Sequence, residues 1–250
     1  MDAVVTAGGR ISGEFAERSG VTVKALLEVG GKPVIHTVID AIRGVPEVDK
    51  IFLVGPAELA HSPIASSIDE LIPDTGDGAA NFIAGVERCS GERALFAASD
   101  LPFLTIESIR SFLNLCPPDA DFCYPVLRKE RFLQAYKTTH SKFVALKEGE
   151  FTGGCVFQIN PAALLANKDL INRVFTSRKS PFKLASILGW SFCLRLLTHT
   201  ADIAHCAKRG SELMNSNCRV VVNCPPELAY DMDNPEDYEF ALRYAGGAYA

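Results

Sequence analysis

The stretch Val4-Val5-Thr6-Ala7-Gly8-Gly9-Arg10, followed by Lys24 inside Thr22-Val23-Lys24-Ala25-Leu26-Leu27, decides how the rest of the chain is read. A short apolar run ending in two glycines is a buried strand breaking into a loop, because glycine lets backbone N–H groups approach an anion closely. Arg10 and Lys24 bring positive charge to the same loop. The loop suits a nucleoside triphosphate if later acidic residues complete a metal site. Taken alone it is equally the punctuation of an ordinary strand-to-helix turn with solvated charges.

Working outward, 250 residues suffice for a sizeable core, and 48% apolar with 22% charged residues is ordinary for a folded globular chain. A net charge of −5 argues against a broad nucleic-acid surface, so an anionic ligand must be met by local cations. Neither a leader-like N-terminus nor a run long enough to span a membrane is present, and a cytoplasmic protein without a membrane partner is expected. Eight cysteines without a CxxC pair read as reduced core thiols, and the five histidines, 36, 61, 140, 199 and 205, show no metal spacing.

Along the chain, Ala25 to Val29 reads as a short extended segment and Pro33 as the first turn of a helix that presents Val34, Ile35, Val38, Ile39 and Ile42 on one face. Ile51-Phe52-Leu53-Val54 is a second buried strand, which completes a βαβ unit. Residues 69–77 read as irregular, with Gly76 and Gly78 opening a helix through Asn81 to Val86. The apolar run 93–98 ends at Ser99-Asp100-Leu101-Pro102-Phe103, which puts an aspartate at the carboxyl end of a buried strand. Thr105 caps a helix to Leu115 that Pro117-Pro118 ends.

Residues 122–127, 142–146 and 151–159 read as strands, the last entered through Gly153-Gly154. Arg128-Lys129-Glu130-Arg131 reads as a solvated loop, or else as a grip on a phosphorylated acceptor. Helical material follows from Pro161 to about Leu188, with a break at Ser180-Pro181, and Trp190 reads as a packing residue. Residues 192–197 and 219–223 read as strands, 201–214 as a helix, and Asn234-Pro235 as the cap and first position of a last helix. The alternation predicts one α/β layer fold with a largely parallel sheet and an antiparallel part from 120 to 200.

Three pieces therefore stand at strand ends: the cationic glycine loop, Asp100, and the pair Asp231 and Asp233. Magnesium takes oxygen ligands, commonly one or two carboxylates plus substrate phosphates. Lys24 and Arg10 would offset charge growing on an α-phosphate and a departing pyrophosphate. The dinucleotide fingerprint is absent, because the loop reads Gly8-Gly9-Arg10-Ile11-Ser12-Gly13, and Glu14-Phe15 stand where a P-loop requires Lys and Ser or Thr.

These motifs, Ala7-Gly8-Gly9-Arg10, Lys24 to Pro33, Ser99 to Leu104 and Asp231 to Asp237, resemble the MobA-like nucleotidyltransferases, which include molybdenum-cofactor and sugar-1-phosphate nucleotidylyltransferases. The resemblance implies a Rossmann-like three-layer α/β fold with a mixed, mostly parallel sheet, formed by a single domain over 1–250 whose part from 120 to 200 faces the acceptor. It implies NTP and Mg²⁺ chemistry on a small phosphorylated acceptor such as a sugar phosphate or molybdopterin. Ala7, Gly8, Gly9 and Arg10 would contact the triphosphate, Lys24 would stabilise the α-phosphate, and Gly76, Gly78 and Asn81 would approach base and ribose. Asp100, Asp233 and Asp231 would hold the metal, and Gly153, Gly154 and Arg128 would lie on the acceptor side, with Cys155 where the family pattern would place Asn. Two other readings stay open: a catalytically silent nucleotide binder of the same fold, and a metal-dependent glycosyltransferase suggested by the D-x-D of Asp231-Met232-Asp233.

Overall fold

The computed structural model describes residues 1–137, 142–177 and 180–247, so His140 lies outside the described residues. Its strands are β1 (Asp2–Thr6), β2 (Glu28–Val29), β3 (Lys32–Pro33), β4 (Ile51–Gly55), β5 (Glu70–Pro73), β6 (Ala94–Ala98), β7 (Phe122–Arg128), β8 (Val144–Leu146), β9 (Gly149–Gly153), β10 (Val156–Ile159) and β11 (Cys218–Val221). β2 and β3 form a small hairpin. The others build one mixed sheet in the order β5-β4-β1-β6-β10-β7-β9-β8, with β11 added alongside β7. β5, β4, β1 and β6 run parallel, whereas β10 runs antiparallel to both β6 and β7.

Chain order explains where ligands go. From β1 the chain moves outward to β4 and β5, then returns across β1 to β6. That reversal opens a crevice beyond the carboxyl ends of β1 and β6, because the connections leave to opposite sides there. Thr6 pairs with both Val54 and Ala98, and Gly55 with Pro73, so the loops after all four strands leave the sheet at one level.

Alternation in β1 sorts the core into two layers, since successive strand side chains point to opposite faces. Ala3 and Val5 pack with the helices Val34–Arg43, Ile106–Leu115 and Pro235–Ala245. Val4 packs on the other face with Phe52, Val54 and the helix Gly78–Val86, with Ile171 of the helix Lys168–Ser177 beyond. This is the expected α/β three-layer arrangement, with mostly parallel core strands.

Several local expectations are corrected. Of the extended segment expected from Ala25 to Val29, Glu28–Val29 is the strand β2 but Ala25 and Leu26 lie in a turn of 3-10 helix, and Pro33 precedes its helix as the cap instead of occupying the first turn. Within 69–77 lies the short edge strand β5, whose charged start and Pro end hid its strand character. Arg128-Lys129-Glu130-Arg131 is not a loop, because Arg128 ends β7 and Lys129–Ala135 is a helix that buries Phe132. Residues Trp190–Leu197 form a helix and not a strand, and Trp190 stands out in solvent rather than packing inside. A run of six apolar residues in eight carries too little alternation to separate helix from strand.

Candidate active site

The glycine loop reaches Lys24 through backbone pairing. Arg10 and Val23 form an isolated antiparallel bridge, Lys24 N–H donates to Gly9 O at 2.9 Å, and Ile11 N–H donates to Thr22 O at 3.0 Å. Residues 12–21 are thus an excursion closed at its neck, and its length does not move the lysine away from the glycines. A Cβ on Gly9 would rest 3.5 Å from Lys24 Cβ.

Gly8 sits against the loop after β5. A Cβ there would meet Asp74 Oδ1 at 2.7 Å and Asn81 Nδ2 at 2.9 Å. Asn81 is buried and its amide is engaged inside that loop: Nδ2 donates to Asp74, and Oδ1 accepts from Thr75 N–H and Thr75 Oγ1, each at 2.9 Å. Asp74 Oδ1 also accepts from Gly76 N–H at 2.8 Å, and Asp77 caps the helix that Gly78 begins. Asn81 therefore shapes the wall facing Gly8. Asp74, which holds that wall, was not among the candidate site residues read from the sequence; its place three residues before a cap was its only signal.

Arg10, Glu58, Gly55 and Asp74 line a cleft of about 400 Å³ beside the glycines. Arg10 Nη1 pairs with Glu58 Oε1 at 3.1 Å, and the Glu58 carboxyl is held below its usual range by its own backbone N–H and by Arg10. Arg10 thus rests on a neighbouring carboxylate at the rim of the cleft.

Lys24 is the centre of the second half of the site. Its ammonium pairs with Asp100, at the end of β6, and with Asp233 Oδ1 at 2.7 Å. Burial opposes its charge, but Asp100 and Asp233 outweigh that penalty and keep the amine protonated above its ordinary range. Asp231 lies in the same cluster, and ligand oxygens of Asp100, Asp231 and Asp233 fall within 4.8 Å of one another. Burial first, and then the charges of Asp100 and Asp233, push the Asp231 carboxyl up to about 7.

The last pair is aimed by its neighbours. Met232 is fully buried between the two aspartates, and Tyr230 is buried with its hydroxyl donating to Asp237 O at 2.7 Å. Asp237 Oδ2 accepts from the backbone N–H groups of Asp233 and Asn234, while Asn234 Oδ1 accepts from Asp237 N–H at 2.9 Å. This capping box starts the last helix and freezes the backbone of Asp233.

Gly153-Gly154 crosses from β9 to β10 beside the acidic group. A Cβ on Gly153 would strike the Tyr124 hydroxyl and one on Gly154 would meet Pro125 Cγ at 2.9 Å, so both glycines serve close packing. Cys155 follows, its thiol 3.7 Å from Asp231 Oδ2 and pushed well above its ordinary range by burial and by Asp231, which makes it a neutral thiol. All eight cysteines are free. Tyr124, half exposed and stacked on Phe157 at 5.3 Å, is a further residue of this rim that sequence reading did not single out. Arg128 is not brought to the cluster: it donates to Glu148 O and covers the Phe151 ring, tying the β8–β9 hairpin to β7.

The structure thus brings Gly8, Gly9, Arg10, Lys24, Asp100, Asp231 and Asp233 to one end of the sheet. Residues 3–191 match the model of the MobA-like NTP transferase domain. The chain belongs to this family. Asp231 and Asp233 fall beyond the matched residues, and the geometry rather than the match joins them to Lys24 and Asp100. Among solved structures, the transferase domain resembles a hypothetical transferase from Thermus thermophilus, at 30% identity and a TM-score of 0.85 over 95% of this chain and 98% of that one. It also resembles 4-diphosphocytidyl-2C-methyl-D-erythritol synthase from Anaerococcus prevotii (14% identity, TM-score 0.60, 98% and 95% covered). A third relative is CMP:2-keto-3-deoxy-manno-octonic acid synthetase complexed with CTP (13% identity, TM-score 0.62, 99% and 100% covered). No curated protein matches it. No helix among the described residues is long and apolar enough to cross a membrane.

Proposed function

We propose that this MobA-like NTP transferase moves a nucleoside monophosphate from an NTP to a small phosphorylated acceptor, with Asp100, Asp233 and Asp231 holding Mg²⁺. The observation that carries this reading is the meeting of Lys24 with three carboxylates at the mouth of the glycine loop. The donor set is all oxygen, which suits a hard divalent cation, and burial, then the charges of Asp100 and Asp233, raise the Asp231 carboxyl where a cation would relieve them. Bound there, Mg²⁺ would supply charge neutralisation on the phosphate oxygens.

The remaining work falls to side chains and backbone. The nucleoside fits the cleft beside Gly8 and Asp74, with the phosphates running past Gly9 toward Lys24. An acceptor phosphate oxygen attacks the α-phosphorus, the bond to the bridging oxygen of the β-phosphate breaks, and pyrophosphate leaves with the electron pair. Lys24 stabilises charge on the α-phosphate, and Arg10 turns from Glu58 toward the departing pyrophosphate. No covalent intermediate is required, because positioning and charge stabilisation suffice. Gly153-Gly154 and the Tyr124 rim would face the acceptor, whereas Arg128 is already committed to its hairpin.

Isothermal titration with each of the four NTPs in Mg²⁺, CTP first in view of the CTP-bound relative, tests the donor. Binding to none of them would overturn the proposal. Pyrophosphate release over a panel of phosphorylated acceptors then separates an enzyme from a silent binder, which would take up NTP and release nothing. Asp100→Asn should lower turnover by on the order of 10³-fold while the fold is kept; undiminished turnover would remove Asp100 from the metal site.

A further inference from the structure

We propose that the helices Pro181–Leu188 and Trp190–Leu197 form a docking face for the surface of an anionic phospholipid bilayer. Six of the eight residues in the second helix are apolar, yet none of them is buried. Trp190, Leu194 and Leu197 stand at i, i+4 and i+7, one stripe of a helix, and are 62%, 60% and 77% exposed. Phe182 of the first helix, 77% exposed, extends the stripe, its ring 6.5 Å from that of Trp190. Scattered exposed apolar residues need no explanation, but a contiguous aromatic and leucine stripe marks an interaction surface.

Charge selects the occupant. From 170 to 201 the sequence has no Asp or Glu and five cations, Arg173, Arg178, Lys179, Lys183 and Arg195, within a chain whose net charge is −5. Beside the stripe, Arg195, His205, Lys208 and Arg209 line a groove of about 230 Å³ with Glu212, which pairs with Arg209 and Lys208, while Asp202 pairs with His205 and Arg195 has no such carboxylate among the described ion pairs. A second copy docked by two-fold symmetry would set this acid-free stretch against itself, like charge on like. An anionic bilayer offers what the face lacks: acyl chains for Trp190, Leu194, Leu197 and Phe182, and phosphate headgroups for Lys183 and Arg195. Short amphipathic helices with Trp, Phe and Leu on one face and basic residues beside it lie in that interface, with Trp at headgroup level. Lying on a membrane is distinct from spanning it, which no described helix can do.

Trp190 is the single tryptophan of the chain, so its emission reports this face alone. The experiment mixes the full chain with vesicles of phosphatidylcholine, or of phosphatidylcholine with about one third phosphatidylglycerol, and reads flotation and Trp190 emission at low and high salt. Expected is flotation and a blue shift with the anionic vesicles only, weakening as salt rises. Lys183→Glu with Arg195→Glu should weaken partition by about 25-fold or more, at about fivefold for each cation near the surface. Leu194→Glu with Leu197→Glu should abolish it while circular dichroism and the thermal midpoint stay unchanged. Absence of anionic-vesicle binding, equal binding to neutral vesicles, or binding that survives both double variants overturns the proposal. So does a dimer in sedimentation that is already blue-shifted without vesicles and that Leu194→Glu dissolves, since the occupant would then be a second copy.

Discussion

In the metal-free protein, Asp231→Asn should stabilise the fold at alkaline pH and do progressively less as the pH falls. The carboxyl moves from 3.8 in the unfolded chain to about 7 in the fold, through burial and the charges of Asp100 and Asp233. Between these values the folded state holds a proton that the unfolded state has released, so stability falls as pH rises through the window and the full penalty is present above about pH 7. At about 1.4 kcal/mol per unit the ceiling is about 4 kcal/mol. Partial exposure of Asp231 and solvent screening halve it to about 2 kcal/mol. Asparagine keeps the shape without the charge and should recover that amount at pH 8, less than half of it at pH 5, and almost none near pH 4. For a chain of this length about 2 kcal/mol corresponds to about 4–8 °C in the melting midpoint. Thermal and urea unfolding with a chelator, at pH 8, 5 and 4, measure it. An equal effect at all three values, or a loss of stability at pH 8, would refute the claim that burial and the neighbouring carboxylates penalise a charged Asp231. Added Mg²⁺ should raise the midpoint of the unsubstituted protein at pH 8 and that of the variant much less.

Other changes probe the parts that position the site. Gly8→Ala puts a Cβ 2.7 Å from Asp74 Oδ1, so the 74–81 loop must shift, and NTP affinity by titration should fall about tenfold or more. Gly85→Ala drives a Cβ into Val4 Cγ1 and sets it 3.1 Å from Val54 Cγ2, an overpacked core that should cost about 1–3 kcal/mol in urea unfolding, part of it recovered by adding Val4→Ala. Asn234→Ala removes the acceptor of the last capping box and should cost about 1 kcal/mol, with a larger loss of turnover because the backbone of Asp233 is released.

What the chain discloses before folding depends on how local the cause is. Ile51 to Val54 and Ala94 to Ala98 announce buried strands because both faces are covered, which leaves no alternation to interpret. Asn234-Pro235 announces a helix start because cap and first position are adjacent. Asp100, Asp231 and Asp233 were readable as candidate metal ligands, but their meeting is set by the sheet order and by the burial of Met232 and Tyr230 beside them. Lys24 was readable as a partner of the glycines, but not the Arg10–Val23 bridge that brings it back across the excursion. Asp74 and Tyr124 were missed because their roles depend on what a neighbouring glycine leaves open. Trp190 misled because an aromatic is usually a core residue, and only the surface of the folded chain shows it outside.

The contact between Lys24 and Asp233 spans 209 residues of sequence. The excursion from 12 to 21 reinforces it, with Phe15 packed 5.8 Å from Tyr238 and Arg18 paired with Glu239. A growing chain can therefore assemble the glycine loop, its bridge and the parallel half of its sheet, yet Lys24 lacks Asp233 until the segment that leads into the helix Pro235–Ala245 follows. Long-range closure of this kind comes late and slowly in folding. On the proposed reading, turnover depends on a pairing that closes only once the helix Pro235–Ala245 has packed back beside the glycine loop.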